Sequence, residues 1–140
     1  MQGRSSIVIA VPPEVVFRFI SDPANDRLWR SHLLASHGTA QGIGGRVTQT
    51  YSYQGRTQTV ELEVSEYEPP TRLTYRLTGP FRARLSFQCL PEAGGTRVGF
   101  STSAVLTGPA TLLEGRVTSE VTKLARTDLE RLKRVLEPTG

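Results

Sequence analysis

Residue types that build metal sites and disulfides are scarce in this chain of 140 residues. Cys89 is the single cysteine, which excludes an intrachain disulfide and a cysteine-based zinc site. The two histidines, His32 and His37, are separated by a spacing that places them on different faces of a helix or a strand. No acidic residue lies between them, so we expect neither a metal site nor a cofactor. Cys89 lies in an alternating segment and is interpreted as a small buried hydrophobe.

Long runs of one residue type are also missing. The net charge is +4, but the basic residues are dispersed, so nucleic-acid binding is not expected. No apolar segment is long enough for a membrane-spanning helix, and the N-terminus has no secretory signal pattern. We therefore expect a cytoplasmic protein without stable membrane insertion. The length suits a single domain over residues 1–140.

The C-terminal segment from Gly108 to Pro138 predicts one long amphipathic helix. Its apolar residues recur at spacings of three and four, which places them on one stripe. The stripe contains Leu113, Val117, Val121, Leu124, Leu132 and Val135, and Ala125, Leu129 and Leu136 widen it in the second half. Asp128 interrupts it, and we interpret Asp128 as a residue at the margin of the stripe or as the partner of an arginine of the sheet. Pro109 and Pro138 suit the first turn and the position after the last turn.

Apolar and polar residues alternate over most of residues 46–104. The alternation is interrupted at pairs typical of turns: Gln54-Gly55, Pro69-Pro70, Gly79-Pro80 and Gly94-Gly95. A period of two between short turns predicts an antiparallel sheet with one solvated face. The apolar face needs a cover, and we expect the C-terminal helix to provide it.

The N-terminal region predicts a strand over Ser5 to Val11, followed by two short helices. Pro12-Pro13 ends the strand and opens the first helix, and the second runs from Ser21 to about Arg30. Residues 31–40 suit an irregular strand. The whole order predicts an α+β fold in which a curved antiparallel sheet of about seven strands wraps around the C-terminal helix.

Several segments resemble one known superfamily. They are IVIAVPPEVVFRFISDP with Trp29 following, GIGGRV, VSEYEPPTRLTYR, GGTRVGF and the long final helix. These segments resemble the START-like superfamily, also called SRPBCC or Bet v 1-like, and especially its small bacterial polyketide cyclase/dehydrase-like members. The resemblance implies a helix-grip fold with a deep cavity between the sheet and the final helix. In such a cavity, lipids, sterols, polyketides or other apolar ligands would bind.

Candidate ligand-binding residues are those expected to face this cavity. From the sheet, the final helix and the segment at the cavity mouth they are Trp29, Leu33, Tyr51, Tyr53, Leu62, Tyr75, Leu85, Phe87, Phe100, Leu113 and Val117. A buried tyrosine hydroxyl needs a hydrogen-bond partner, which a ligand or water in a pocket can supply. The alternative is that these tyrosines are core or rim residues bonded to the backbone.

Few ionisable residues are expected on the inward face. Arg116 and Glu120 are four residues apart beside the stripe, where they form either a surface ion pair or the polar edge of the pocket. His32 is the best candidate for an acid/base group near the mouth, and the alternative is an exposed loop histidine. No other catalytic arrangement is evident, so whether the chain is an enzyme stays open.

Three functions are compatible with these features. The first is binding of a hydrophobic or aromatic ligand, such as a lipid, polyketide or sterol, and the scarcity of inward ionisable groups favours it. The second is a polyketide cyclase/aromatase-like reaction in the same cavity. The third is protein interaction, as in relatives of the Hsp90 activator, which predicts a cavity filled by side chains. The exposed edges of the sheet also allow a homodimer.

Overall fold

Seven strands and three helices make up the described part of the chain. A computed structural model describes residues 2–53, 55–78, 82–105 and 114–137, with the backbone alone for residues 53 and 114–118. The strands are β1 (Gln2–Ile9), β2 (Leu33–Gly38), β3 (Arg46–Tyr53), β4 (Arg56–Glu68), β5 (Arg72–Thr78), β6 (Ala83–Glu92) and β7 (Gly95–Ala104). The helices are α1 (Pro13–Ile20), α2 (Asp26–Trp29) and α3 (Glu114–Leu136), with a single 3-10 turn (Pro23–Asn25) before α2.

All seven strands form one curled antiparallel sheet in the order β1-β7-β6-β5-β4-β3-β2. Strands β2 to β7 pair with their neighbours in chain order, as the alternation of apolar and polar residues predicts. Strand β1, which precedes the two short helices, pairs with β7. The register sets Leu73 opposite Phe87 and Phe87 opposite Phe100, so these side chains share the face that α3 covers. The predicted α+β class and helix-grip arrangement are confirmed.

The two short helices begin and end close to where the local sequence predicts. Pro13 occupies the first turn of α1, and Val16, Phe17 and Ile20 form its buried face. The second predicted helix is shorter than expected: it starts as the 3-10 turn and ends at Trp29. Arg30 then adopts an extended conformation with ψ of 120°. Because the helix ends early, Arg30 belongs to the loop that leads to β2.

Helix α3 covers the concave face of the sheet. Ala125, Leu129 and Leu132 are buried against it. The helix also lies close to β1, where Gly3 has no side chain and an added Cβ would lie 3.1 Å from Thr122 Oγ1. Among the described residues, no helix is long and apolar enough to cross a bilayer. The predicted helix-end residues Pro109 and Pro138 lie outside the described residues.

The prediction that Val135 belongs to the buried stripe of α3 is wrong. Val135 is 43% exposed, whereas Asp128, seven residues earlier and therefore nearly on the same side of the helix, is 6% exposed. Asp128 bonds to Arg30 and Ser31, which directly follow α2, and they cover it. The buried face in the second half of α3 therefore runs through Ala125, Leu129 and Leu132.

Most of the space between the sheet and the second half of α3 is filled by side chains. Trp29 is 1% exposed and packs edge-on against Phe87, with ring centroids 5.7 Å apart. Phe87 stacks on Phe100 at 4.8 Å, and Tyr75 contacts Phe87 edge-on at 6.4 Å. Burial of each such ring contributes roughly 1.5–3 kcal/mol before the entropy of ordering is subtracted. This part of the interior is a packed core.

Candidate functional site

An open pocket of about 260 Å³ remains beside this core. It lies between α3, the segment that follows α2, and strands β3, β6 and β7. The residues that line it are Arg30, Ser31, His32, Tyr51, Leu85, Phe100, Thr102, Val121, Leu124, Ala125 and Asp128. Ligand pockets start at about 300 Å³, and a cavity of about 150 Å³ can hold benzene. The volume therefore suits a ligand, or a part of a ligand, with one aromatic ring or about two fused rings.

Larger depressions, of about 450 and 790 Å³, lie on the sheet face turned away from α3. Their walls are rich in arginine and serine side chains, with Arg84 and Arg97 among the exposed ones. Small ligands favour concave sites with a mostly apolar lining and a few polar groups. The pocket under α3 has that character, so we take it as the candidate site.

Arg30 is the central polar residue of the pocket wall. Its Nε donates to Asp128 Oδ2 at 3.2 Å, and its Nη2 donates to the Tyr51 hydroxyl at 3.3 Å. The backbone N–H of Ser31 donates to the other carboxylate oxygen of Asp128 at 2.8 Å. The Arg30 guanidinium carbon also lies 5.6 Å from the ring centre of Phe100, within the range of a cation–π contact. These contacts hold a buried cation at the edge of an apolar pocket.

The hydrogen bonds continue from Arg30 into the interior. The Tyr51 hydroxyl donates to Gln49 Oε1. Gln49 Nε2 donates to Asp26 Oδ2 at 3.1 Å, and Ser36 Oγ donates to the same oxygen at 2.9 Å. Asp26, Ser36 and Gln49 are all buried. A continuous polar network therefore links Asp26, at the start of α2, to Asp128 on α3.

Burial dominates the electrostatics of Asp26. Loss of solvent raises the pKa of its carboxyl from 3.8 to about 6, although Arg30, Ser36 and Gln49 act in the opposite direction. Burial also opposes the charge of Arg30, but Tyr51 and Asp128 outweigh it, and the guanidinium pKa lies above its usual value. The pKa of the buried Tyr75 hydroxyl is raised by loss of solvent and by Asp26. Tyr75 is therefore a neutral phenol.

Two buried polar atoms have no hydrogen-bond partner among the described residues. They are Trp29 Nε1 and Thr102 Oγ1. Thr102 is a lining residue of the pocket, but its hydroxyl oxygen is itself buried. Trp29 lies in the packed core and is not a lining residue.

The polar wall can hold an oxygen atom of a ligand. A guanidinium has five N–H donors and no acceptor, so Arg30 suits a carbonyl or a developing oxyanion. Tyr51 gives its hydrogen to Gln49 and receives one from Arg30, so its hydroxyl orients the guanidinium. The Cys89 thiol does not join this chemistry, because burial in the core raises its pKa to about 12.

The structure separates the predicted site residues into groups. Tyr51, Leu85, Phe100 and His32 line the pocket. Trp29, Leu33, Leu62, Tyr75 and Phe87 are buried side chains that are not among the lining residues. Glu120 is exposed on α3. Leu113 and the side chains of Tyr53, Arg116 and Val117 lie outside the described residues.

The expectation of few ionisable groups on the inward face is wrong. Asp26, Arg30 and Asp128 are held inside by the network described above. The proposed partner of Asp128, an arginine of the sheet, is also wrong, since Arg30 directly follows α2. One signal was available: Gln49 alternates in phase with Tyr51, which places an amide on the apolar face. Nothing in the sequence indicated that Arg30 faces the interior, because a residue at the end of a short helix does not belong to a repeating apolar pattern.

His32 has an unusual backbone. Its φ of 64° is the only positive value at a non-glycine position among the described residues. This conformation is uncommon outside glycine, although histidine tolerates it better than most residues. The carbonyl oxygen of His32 accepts a hydrogen bond from the Ser52 N–H at 2.8 Å, which ties the loop to β3. The bend places an exposed imidazole at the rim of the pocket.

No group of three or more His, Cys, Asp or Glu side chains is arranged to hold a metal ion in the described part of the chain.

A comparison with protein-family models gives a match over nearly the whole chain. A model of the polyketide cyclase/dehydrase and lipid transport family matches residues 2–137. A search of the curated proteins finds no match.

Solved structures share the fold at low sequence identity. TTHA0849 from Thermus thermophilus has a TM-score of 0.81 and 23% identity over 96% of this chain and 95% of its own. CV1439 from Chromobacterium violaceum has a TM-score of 0.78 and 17% identity over 99% of both chains. The di-domain ARO/CYC BexL from the BE-7585A biosynthetic pathway has a TM-score of 0.82 and 16% identity over all of this chain and 51% of its own.

Proposed function

The chain belongs to the polyketide cyclase/dehydrase and lipid transport family, and from this premise we propose that its pocket binds an apolar or aromatic small molecule. The ligand is a compact aromatic or polyketide-like molecule, or one end of a longer lipid or sterol. The pocket under α3 carries this proposal, because apolar side chains from three strands and one helix surround a space of about 260 Å³. The packed core formed by Trp29, Tyr75 and Phe87 is the feature that the protein-interaction alternative predicts, and the pocket beside that core is the feature that supports ligand binding.

Calorimetric titration with 2-acetonaphthone, an uncharged two-ring ketone, tests the proposal. Val121 lines the pocket, so Val121→Phe fills part of it and we expect at least about tenfold weaker binding. Val135→Phe makes the same change at an exposed position of the same helix and should stay within about twofold. Absence of binding to the unaltered protein, or equal effects of the two substitutions, would refute the proposal.

Catalysis of a cyclase type is the second candidate, and the buried Arg30 favours it. Ring closure of a poly-ketone passes through an enolate, whose oxygen carries negative charge. A preorganised guanidinium at the wall of an apolar pocket can stabilise that charge and so accelerate the reaction. His32, at the rim, is the candidate to accept the proton that leaves the carbon atom.

The test of this second candidate follows ring closure of a short model poly-ketone. Arg30→Gln should lower kcat by about 100-fold or more, because a single charge-stabilising donor is typically worth that much. Val135→Phe again serves as the folded control. A rate with the unaltered protein equal to the rate in buffer alone would exclude this activity and leave ligand binding in place.

A further inference from the structure

The charges around the pocket indicate which ligands it prefers. Arg30 is the cation of the inner wall, and Asp128 neutralises it through the 3.2 Å bond to Nε. Both side chains are about nine-tenths buried, with exposures of 11% and 9%. Asp128 is fixed further by the N–H of Ser31. Asp128 therefore already balances the positive charge of Arg30 before any ligand enters the pocket.

A second carboxylate lies behind the first pair. Asp26 connects to Arg30 through Gln49 and Tyr51, and it is close enough for the two charges to influence each other. Asp26 is not a lining residue; when it is ionised, it adds a second negative charge behind the Arg30–Asp128 pair. The remaining ionisable lining residues are Tyr51, which is bonded to Arg30, and His32, which lies at the exposed rim.

A ligand carboxylate would meet unfavourable electrostatics here. It would lose its hydration in an apolar pocket and would compete with Asp128 for the same guanidinium, which is costly in a poorly solvated site. A carbonyl oxygen carries no net charge to desolvate. It needs only a donor, and the Arg30 guanidinium at the pocket wall supplies one.

We propose that the pocket selects uncharged ligands bearing a carbonyl or similar acceptor over the matching carboxylates, and that Asp128 sets this selectivity. The inference rests on the proposed ligand-binding function and names the chemical class of its ligand. Asp128 acts through Arg30: it cancels the charge of the guanidinium while it leaves N–H groups to donate.

The experiment compares two probes of nearly equal shape, 2-acetonaphthone and 2-naphthoate, by calorimetric titration at about pH 8. At that pH Asp26, with a pKa of about 6, is ionised. We expect the ketone to bind the unaltered protein at least about tenfold more tightly than the carboxylate. In Asp128→Asn, the carboxylate should gain about tenfold while the ketone changes by less than about threefold.

Glu130→Gln is the matched control, because it removes one negative charge from an exposed position of the same helix. It should leave the ratio of the two dissociation constants unchanged. An equal shift in both variants would assign the effect to net charge and overturn the role of Asp128. If the unaltered protein binds naphthoate as tightly as the ketone, the selectivity is refuted whether or not Asp128→Asn folds. If it binds neither probe, the proposed function itself fails.

Discussion

Asp26 should make the stability of this protein fall as the pH rises through about 6. Burial raises the pKa of its carboxyl from 3.8 to about 6 in the folded state, so the folded protein holds this proton more tightly than the unfolded chain. The stabilisation from proton binding is fully present below about pH 4 and is lost as the pH rises through the folded-state pKa. A difference of about two units corresponds to about 3 kcal/mol in the free energy of unfolding.

The perturbation is Asp26→Asn, which keeps the shape and one acceptor oxygen for Ser36 and Gln49 but removes the titration. Urea unfolding of both proteins at steps from about pH 4 to pH 8 gives the free energy of unfolding at each step. The advantage of the variant over the unaltered protein should grow by roughly 2 kcal/mol across this window, because at pH 4 part of the full difference is already lost. Groups with the opposite trend, such as Glu137 with its lowered pKa beside Lys133, are present in both proteins and cancel.

A side-chain carboxyl titration by NMR gives an independent reading and should place the Asp26 midpoint near pH 6. Parallel stability curves for the two proteins, or a midpoint near the ordinary value of about 4, would refute the argument. Either result would mean that water reaches Asp26 and that the hydrogen-bonded network is more solvated than its burial indicates.

Three further predictions concern the core and the turns. Leu129→Ala should lower the free energy of unfolding by about 2–5 kcal/mol in urea titrations, while Val135→Ala on the exposed side should stay within about 0.5 kcal/mol. Gly38→Ala should cost at least about 2 kcal/mol, because φ is 129° and a Cβ would lie 2.0 Å from Arg46 O; an unchanged melting temperature would contradict this. Cys89 should react with a thiol reagent only after unfolding, since it is buried and its pKa is raised to about 12.

The fold followed largely from local patterns. The period of two over residues 46–104 and the period near 3.6 in the last thirty residues each specify an element and its buried side. Paired turn residues separate the strands, and short turns favour pairing of neighbours, so the hairpins from β2 to β7 are readable along the chain. The pairing of β1 with β7 has no local signal in the sequence.

The spacing of apolar residues predicted burial less well in short elements. It also failed where a neighbouring segment covers or uncovers a side chain. Val135 and Asp128 have almost the same orientation on α3, yet only Asp128 is covered. The cover comes from Arg30 and Ser31, which lie almost a hundred positions earlier in the chain. No pattern within the helix contains that information.

The sequence by itself determined the sheet, the covering helix and the family, because each depends on side-chain period or on segments that are contiguous in the chain. Only the tertiary structure decided the character of the pocket. Arg30 meets Asp128 across 98 positions, and Gln49 meets Asp26 across 23. Polar side chains so far apart in the sequence form hydrogen bonds with each other only when folding brings them together and removes the water between them. Their buried pairing then places a charge-paired cluster with N–H donors at the edge of an otherwise apolar pocket.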